Sequence, residues 1–247
     1  MCATCGCGDT GLSSDRVVVE ERLLAKNDAV AAHVRATLGA RHVTAYNLMS
    51  SPGAGKTSLL ERTIADLDRE VCVIEGDQET TYDADRIRAA GARAVQVNTG
   101  AGCHLDASMV HRALHELEPP EGALLFVENV GNLVCPALFD VGEHARVVVI
   151  SVTEGDDKPL KYPHMFAAAD VVVVNKIDLL PYVDLDLGRL EAQARDLRPG
   201  VEVLALSVRT GEGVERWYDW LAAHESAHES THESTHESTH TPAGVLR

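Results

Sequence analysis

The sequence predicts an α/β fold, a mostly parallel β-sheet flanked by helices on both faces. Short apolar runs rich in β-branched residues recur at 43–48, 71–75, 94–98, 123–128, 146–152, 171–175 and 201–206. Helix-period patterns lie between most of them, at 56–68, 82–90, 106–117 and 184–197. The chain has 247 residues, enough for one sizeable core. Such alternation builds βαβ units whose right-handed crossovers lay helices over both faces of the sheet.

Taken in order, residues 1–14 (MCATCGCGDTGLSS) are small, polar and Gly-rich, which predicts a flexible segment. A helix is predicted from Asp15 to about Leu38, with Ser14 or Asp15 as its cap and Val19, Leu23, Leu24, Val30 and Val34 as its apolar stripe. The strands and helices follow, and a last helix over 213–222 closes a domain spanning 15–222. Residues 223–247 (AHESAHESTHESTHESTHTPAGVLR) are low in complexity and predicted to be disordered without metal.

Hydrophobic residues make up 45% of the chain but aromatics only 4%, so Val, Leu, Ile and Ala must build the core. The formal net charge of −16 argues against nucleic acid or an anionic membrane as partner, because phosphates need basic patches. No segment approaches the roughly 20 apolar residues of a membrane span. The start lacks the basic and apolar regions of a signal peptide. A cytoplasmic location is therefore expected, where thiols stay reduced. Cys2, Cys5 and Cys7 then point to metal binding or redox chemistry rather than to disulfides.

The clearest motif is SSPGAGKTS, between a predicted strand and a predicted helix. Gly55, Lys56 and Thr57 match the end of the G-x-x-x-x-G-K-[ST] phosphate loop, and Ser50 stands where the first glycine is expected. Backbone N–H groups from Gly53 and Ala54 through Thr57 and Ser58 are suited to surround a β-phosphate at a helix N-terminus. Lys56 adds charge on the β/γ oxygens, and the Thr57 hydroxyl is a Mg²⁺ ligand in such loops. The fold expected is that of the P-loop NTPases.

The run VVVVNKIDLL supplies Asn175, Lys176 and Asp178 after a strand. A carboxylate at Asp178 accepts two hydrogen bonds from guanine, at N1–H and N2–H₂, a pair that adenine does not offer. Asn175 is expected at the other edge of the base, with the Lys176 stem over its plane. Ser207 and Val208, in LSVRTGEG, fit the last base-contacting loop. The nucleotide is thus GTP. Asp77 in EGDQETTYDAD and Glu128 in FVENVGN follow strands, and Glu128 precedes Gly131 by three residues as in a D-x-x-G switch. Either carboxylate is placed to hold Mg²⁺ or to orient the attacking water. No arginine finger is legible, so slow turnover is expected, with Lys56, Asp77 and Glu128 as the catalytic set.

Cys103 and His104 stand side by side in NTGAGCHLD, and Cys135 follows the switch in VGNLVCPAL. Thiolate and imidazole suit Zn²⁺ or Ni²⁺. The alternative is that both cysteines are small core residues, the reading adopted for Cys72. One chain offers few ligands for a closed site, whereas two chains face to face offer twice as many. His33, His42, His111, His115, His144 and His164 are read as ordinary surface or core histidines.

The order MCATCGCG, NLMSSPGAGKT, EGDQETTYDADRI, GCHLD, ENVGNLVCP, NKIDLL and SVRTGEG resembles the hydrogenase nickel-incorporation GTPases, the HypB family, over residues 1 to about 222. The resemblance implies a GTPase that helps insert nickel into the large subunit of [NiFe]-hydrogenase. It implies a homodimer when GTP is bound, an interface metal site of Cys103, His104 and Cys135, and a separate tight nickel site at the N-terminus. The partners it implies are a zinc-binding nickel chaperone of the same pathway and the hydrogenase large-subunit precursor.

At that N-terminus, Cys2, Cys5 and Cys7 lie close enough to wrap one ion. Three thiolates and the Cys2 amine, once Met1 is removed, suit planar Ni(II), and the metal itself orders the peptide. His224, His228, His232, His236 and His240 recur every four residues, which favours nickel storage over a merely solvated tail. The competing readings are a nickel or zinc storage protein with nucleotide-controlled assembly, the urease accessory GTPase, which is not expected to carry the opening cysteines, and a small-molecule kinase, which Asn175 and Asp178 disfavour.

Overall fold

The computed structural model describes residues 11–77, 81–100 and 102–237. Cys2, Cys5, Cys7 and His240 lie outside the described residues.

Seven strands form one sheet: β1 (Thr44–Ser50), β2 (Val71–Asp77), β3 (Arg93–Asn98), β4 (Leu124–Glu128), β5 (Ala145–Ser151), β6 (Val171–Asn175) and β7 (Glu202–Ala205). Their order is β3-β2-β4-β1-β5-β6-β7, with every pairing among them parallel. The central strands are buried along their whole length, as the runs LLFVE and VVVVN require of strands covered on both faces. Successive side chains alternate between two layers. Tyr46, Leu48, Phe126, Val147 and Val149 meet α2 (Lys56–Asp66), α3 (Tyr82–Ala89) and α8 (Val214–Glu237), whose Trp217 and Trp220 fill that side. Ala45, Leu125 and Val127 meet α1 (Gly11–Gly39) and α4 (Ala107–Leu117) on the other. Val148, Ile150, Val172 and Val174 meet α6 (Pro163–Ala168) and α7 (Leu187–Leu197).

The predicted strands all form, and the sheet is wholly rather than mostly parallel among the described strands. The short helices α5 (Lys158–Lys161) and α6 are not legible as periodicity, because one turn shows none; Pro159 and Pro163 sit in their first turns. The helix predicted from 184 begins instead at Leu187, where the Asp186 side chain accepts from Arg189 N at 3.0 Å. The largest difference is at the end. The pattern predicts a helix stop near 222, with disorder beyond, but α8 runs to Glu237. No Gly or Pro interrupts 214–237, so nothing in that stretch breaks the helix. No helix among the described residues is long and apolar enough to cross a membrane.

The carboxyl ends of β1, β2, β4 and β6 deliver Ser50, Asp77, Glu128 and Asn175 to one edge of the sheet. This is the edge where open α/β sheets bind ligands.

Candidate nucleotide site and metal centre

The phosphate loop forms where buried β1 turns into α2. Gly53 and Gly55 take positive φ, 75° and 103°. A Cβ at residue 55 would stand 2.5 Å from Asn175 Nδ2, so no other residue fits there. The Lys56 amine donates to Ser50 Oγ at 2.7 Å. Ser50, the departure from the motif, therefore supplies a buried hydroxyl that holds the lysine. Burial lowers the Lys56 pKa, while the neighbouring Glu128 and Glu75 charges oppose the shift.

Below the loop sits a buried acidic pair. Thr57 Oγ1 donates to Glu128 Oε1 at 2.7 Å. Glu75 is the register neighbour of Glu128 across β2 and β4, and each residue is only 3% exposed. Glu75 Oε2 and Glu128 Oε2 are buried without a hydrogen-bond partner. Burial, then the Glu128, Asp77 and Asp83 charges, push Glu75 up to about 8; burial also raises Glu128, against the pull of Lys56. Once a cation displaces the proton that burial favours, carboxylate oxygens beside a threonine hydroxyl suit a hard divalent ion. They line a cleft of about 530 Å³ together with Gly53, Gly55, Asp77 and Arg86.

Glu75 and Arg86 line the candidate site, and neither is singled out from the sequence. Glu75 reads as a strand residue two places before the more obvious Asp77. Arg86, inside YDADRI, is paired with Glu61 at 2.5 Å and Asp83 at 3.0 Å and donates to Ser58 Oγ at 3.2 Å. Its i,i+3 spacing from Asp83 was the available signal.

Glu75 yields a stability prediction. Its carboxyl rises from 4.5 to about 8 on folding, so its favourable contribution is complete below 4.5 and lost as pH climbs through 8. Glu75→Gln, without metal or nucleotide, is expected to melt at a higher temperature than the parent at pH 8. The gap should close at pH 5. Parallel melting temperatures from pH 5 to 8 would remove Glu75 from this role.

A second cavity of about 440 Å³ continues from Gly55 and Ser58 and is lined by Asn175, Lys176, Asp178, Ser207 and Val208. Asp178 Oδ1 accepts from Ser207 Oγ at 2.6 Å, and Arg209 Nε lies 3.4 Å from Oδ2. Lys176 adopts φ 65° and its amine donates to Gly53 O at 2.7 Å, so its stem bridges the two cavities. Asn175 acts here as a brace: Nδ2 donates to Ala54 O at 3.0 Å, and Oδ1 accepts from Lys176 N and Val208 N at 2.7 and 3.2 Å. It ties the phosphate loop to both base loops.

The candidate metal ligands converge. One ligand atom from each of Cys103, His104 and Cys135 lies within 4.8 Å of the others, all half-buried. Cys103 Sγ is 3.8 Å from His104 Nδ1. The His104 ring stacks on Phe139 at 4.0 Å, and burial lowers its pKa, favouring the neutral imidazole that binds metal. A hydrogen bond with Cys103, then burial, raises the Cys135 thiol. Cys72 is fully buried in β2, its thiol pushed up to about 11 by burial, as expected of a core residue.

The two sites touch. Gly131, three residues after Glu128, lies against the phosphate loop: a Cβ there would be 3.1 Å from Pro52 Cα. Asn132 Nδ2 donates to Cys103 O at 3.3 Å. Buried Asn129 accepts from Leu105 N and Val130 N, each at 3.0 Å, and donates to Asn47 Oδ1 at 3.2 Å. A single loop from Glu128 to Cys135 therefore connects the acidic pair to the Cys–His cluster. These asparagines also escape the sequence reasoning, although they flank the switch glycine in ENVGN.

Comparison with known proteins agrees with this geometry. The family model "CobW/HypB/UreG, nucleotide-binding domain" matches residues 44–205. Hydrogenase maturation factor HypB of Rhizobium leguminosarum bv. viciae is 58% identical over 214 residues, covering 85% of this chain and 72% of the relative. HypB of Escherichia coli K12 is 52% identical, with coverages of 85% and 74%. The crystal structure of HypB from Helicobacter pylori in complex with nickel superposes with a TM-score of 0.77 at 38% identity, over 82% of this chain and 96% of that one. HypB from Archaeoglobus fulgidus gives 0.76 at 39% identity, over 82% and 100%. With the phosphate loop, the base loops and the Cys–His cluster in place, the chain belongs to the CobW/HypB/UreG family of nucleotide-binding proteins and, within it, to the hydrogenase maturation factors HypB.

Proposed function

We propose that the protein is a GTP-hydrolysing nickel metallochaperone of [NiFe]-hydrogenase maturation, in which the nucleotide controls the Cys103–His104–Cys135 site. One observation carries the reading: the Glu128–Cys135 loop touches the phosphate loop at one end and brings Cys135 beside Cys103 and His104 at the other. GTP lies with its β/γ-phosphates over Gly53–Ser58 and its base against Asp178, Ser207 and Val208. Thr57, Glu128 and Asp77 hold Mg²⁺, which neutralises phosphate charge when bound. Lys56 stabilises the same charge, and Asp77 or Glu128 orients the attacking water. A γ-phosphate draws on Gly131 and so moves Asn132 and Cys135 relative to Cys103.

Three ligands leave a four-coordinate ion one donor short. Val134 and Leu138, 53% and 51% exposed, flank Cys135 and offer an apolar rim on which a second GTP-bound copy docks. The partners are the zinc-binding nickel chaperone of the pathway and the hydrogenase large-subunit precursor, and the protein works in the cytoplasm. Nickel is the cargo, with zinc as an alternative occupant of the interface site; Cys2, Cys5 and Cys7 hold a further nickel ion. His224, His228, His232 and His236 stand four apart along α8, which supports nickel storage as a second role.

The test separates the two cysteine sites. Changing Cys2, Cys5 and Cys7 to Ser is expected to remove one thiolate–nickel absorption band and leave GTP turnover intact. Cys135→Ser is expected to leave that band and lower metal affinity at the G domain by about tenfold or more, the loss typical of a disturbed metal site. If Cys135→Ser changes no metal binding, the domain site is misassigned.

A further inference from the structure

Away from the nucleotide site and from Cys103–His104–Cys135, three histidines converge where α1 packs on α4. His111 and His115 stand at i and i+4 on α4, hence on one face, and His33 reaches them from α1. The His111 and His115 Nε2 atoms are 3.3 Å apart. Two nitrogens each about 2.0–2.1 Å from one ion, at a near-tetrahedral angle, stand about 3.3–3.4 Å apart. The pair is thus already at chelating separation. The His111 and His115 rings lie 4.7 Å apart at 81°, and those of His33 and His111 5.2 Å apart at 63°. The rings meet edge to face and not stacked, and in the absence of an ion the two Nε2 atoms share a hydrogen bond. His33 and His115 are exposed and His111 half-buried, so an ion has access. The three donors do not all lie within 4.8 Å of one another, as those of Cys103, His104 and Cys135 do, so the exposed His33 side chain has to turn toward the pair to join it.

We infer that His33, His111 and His115 form a further metal site, a three-imidazole clamp between α1 and α4 for a first-row divalent ion such as Zn²⁺ or Ni²⁺. All-imidazole donors suit these ions, and water completes the coordination. The clamp lies on the helix that leaves the Cys103–His104 loop. Asp106 caps α4 by accepting from Met109 N at 2.7 Å, and Asn27 of α1 accepts from Ala107 N at 2.9 Å. His111 follows Ala107 by about one turn, roughly 6 Å along the axis. An ion in the clamp therefore pins α1 to the helix whose start carries the domain metal ligands.

The test is residue-resolved, because other histidines of the chain also meet metal. Full-length protein is treated with diethyl pyrocarbonate at graded Zn²⁺, then graded Ni²⁺, and each histidine is read by peptide mass spectrometry. His33, His111 and His115 are expected to become protected together, at one midpoint and by about tenfold or more in rate. His42 and His164, exposed and outside the cluster, should not change. His115→Gln, an exposed change that leaves the fold alone, is expected to release His33 and His111 while His104 stays protected. His111→Gln should release His33 and His115 in the same way. Modification of the three at the rate of His42 and His164, protection of His111 and His115 without His33, or protection that survives both substitutions would overturn the site. None of these outcomes depends on nucleotide, so the clamp stands or falls separately from the GTP-controlled site.

Discussion

Lys56→Ala lowers GTP hydrolysis by on the order of 10²–10³-fold, the loss usual when a charge-stabilising donor is removed from a transition state. The amine sits at the mouth of α2, 2.7 Å from Ser50 Oγ and beside the buried Glu75–Glu128 pair. Its removal takes away the positive charge that balances both carboxylates and meets the β/γ oxygens. The buried acids then keep only the more distant charge of Arg86, so nucleotide affinity is expected to fall together with turnover. Nickel binding at Cys2, Cys5 and Cys7 is expected to persist, since a metal-ordered peptide needs no part of the phosphate loop. Single-turnover hydrolysis of labelled GTP, alongside nickel absorption, checks both halves. Normal hydrolysis by Lys56→Ala means that the loop has been misread.

Asp178→Asn is the second large effect, and it acts on base choice. The carboxylate is held by Ser207 at 2.6 Å and by Arg209 at 3.4 Å, facing the cavity beside Val208. In the proposed site it would accept from guanine N1–H and N2–H₂. An amide there presents a donor where guanine also donates, and it matches the C2 carbonyl of xanthine. Sites built on such hydrogen bonds discriminate by about 10⁴-fold or more, so the GTP/XTP preference should fall by several orders of magnitude and turn toward XTP. Arg209 is 82% exposed on its side chain, so losing its partner costs the fold little. Competition binding of GTP and XTP to parent and variant measures the ratio, and an unchanged ratio removes Asp178 from the base site.

Much of this was legible in the sequence because it depends on local order. A strand, Gly53, Gly55, Lys56 and Thr57 in succession make a phosphate loop whatever surrounds them. The Asn175–Asp178 run at a strand end works in the same way. Cys103, His104 and Cys135 were legible as ligand types, and the parallel sheet brings them together. Residues whose meaning lies across strands were not legible. Glu75 becomes significant only when β2 and β4 pair it with Glu128. Asn129 and Asn132 matter because they bond to Leu105 and Cys103, far away in sequence. Asn175 lines the cavity expected for the base, and its further contact with Ala54, which depends on how closely β6 approaches the loop, was not legible. The histidine repeat misled in another way. Low complexity suggested disorder, while the absence of Gly and Pro lets α8 continue to Glu237.

The central claim is that nucleotide state sets metal affinity at Cys103, His104 and Cys135. The direct measurement is an anaerobic nickel titration of metal-free protein in which Cys2, Cys5 and Cys7 are changed to Ser, first with GDP and then with a non-hydrolysable GTP analogue. Thiolate-to-nickel absorption and oligomer mass are followed together. The account predicts that the analogue drives dimerisation and shifts the midpoint of the surviving thiolate band by about fivefold or more, the range of ordinary coupling between sites. Identical midpoints and identical mass with both nucleotides would contradict it and leave a metal store whose nucleotide fold serves some other end.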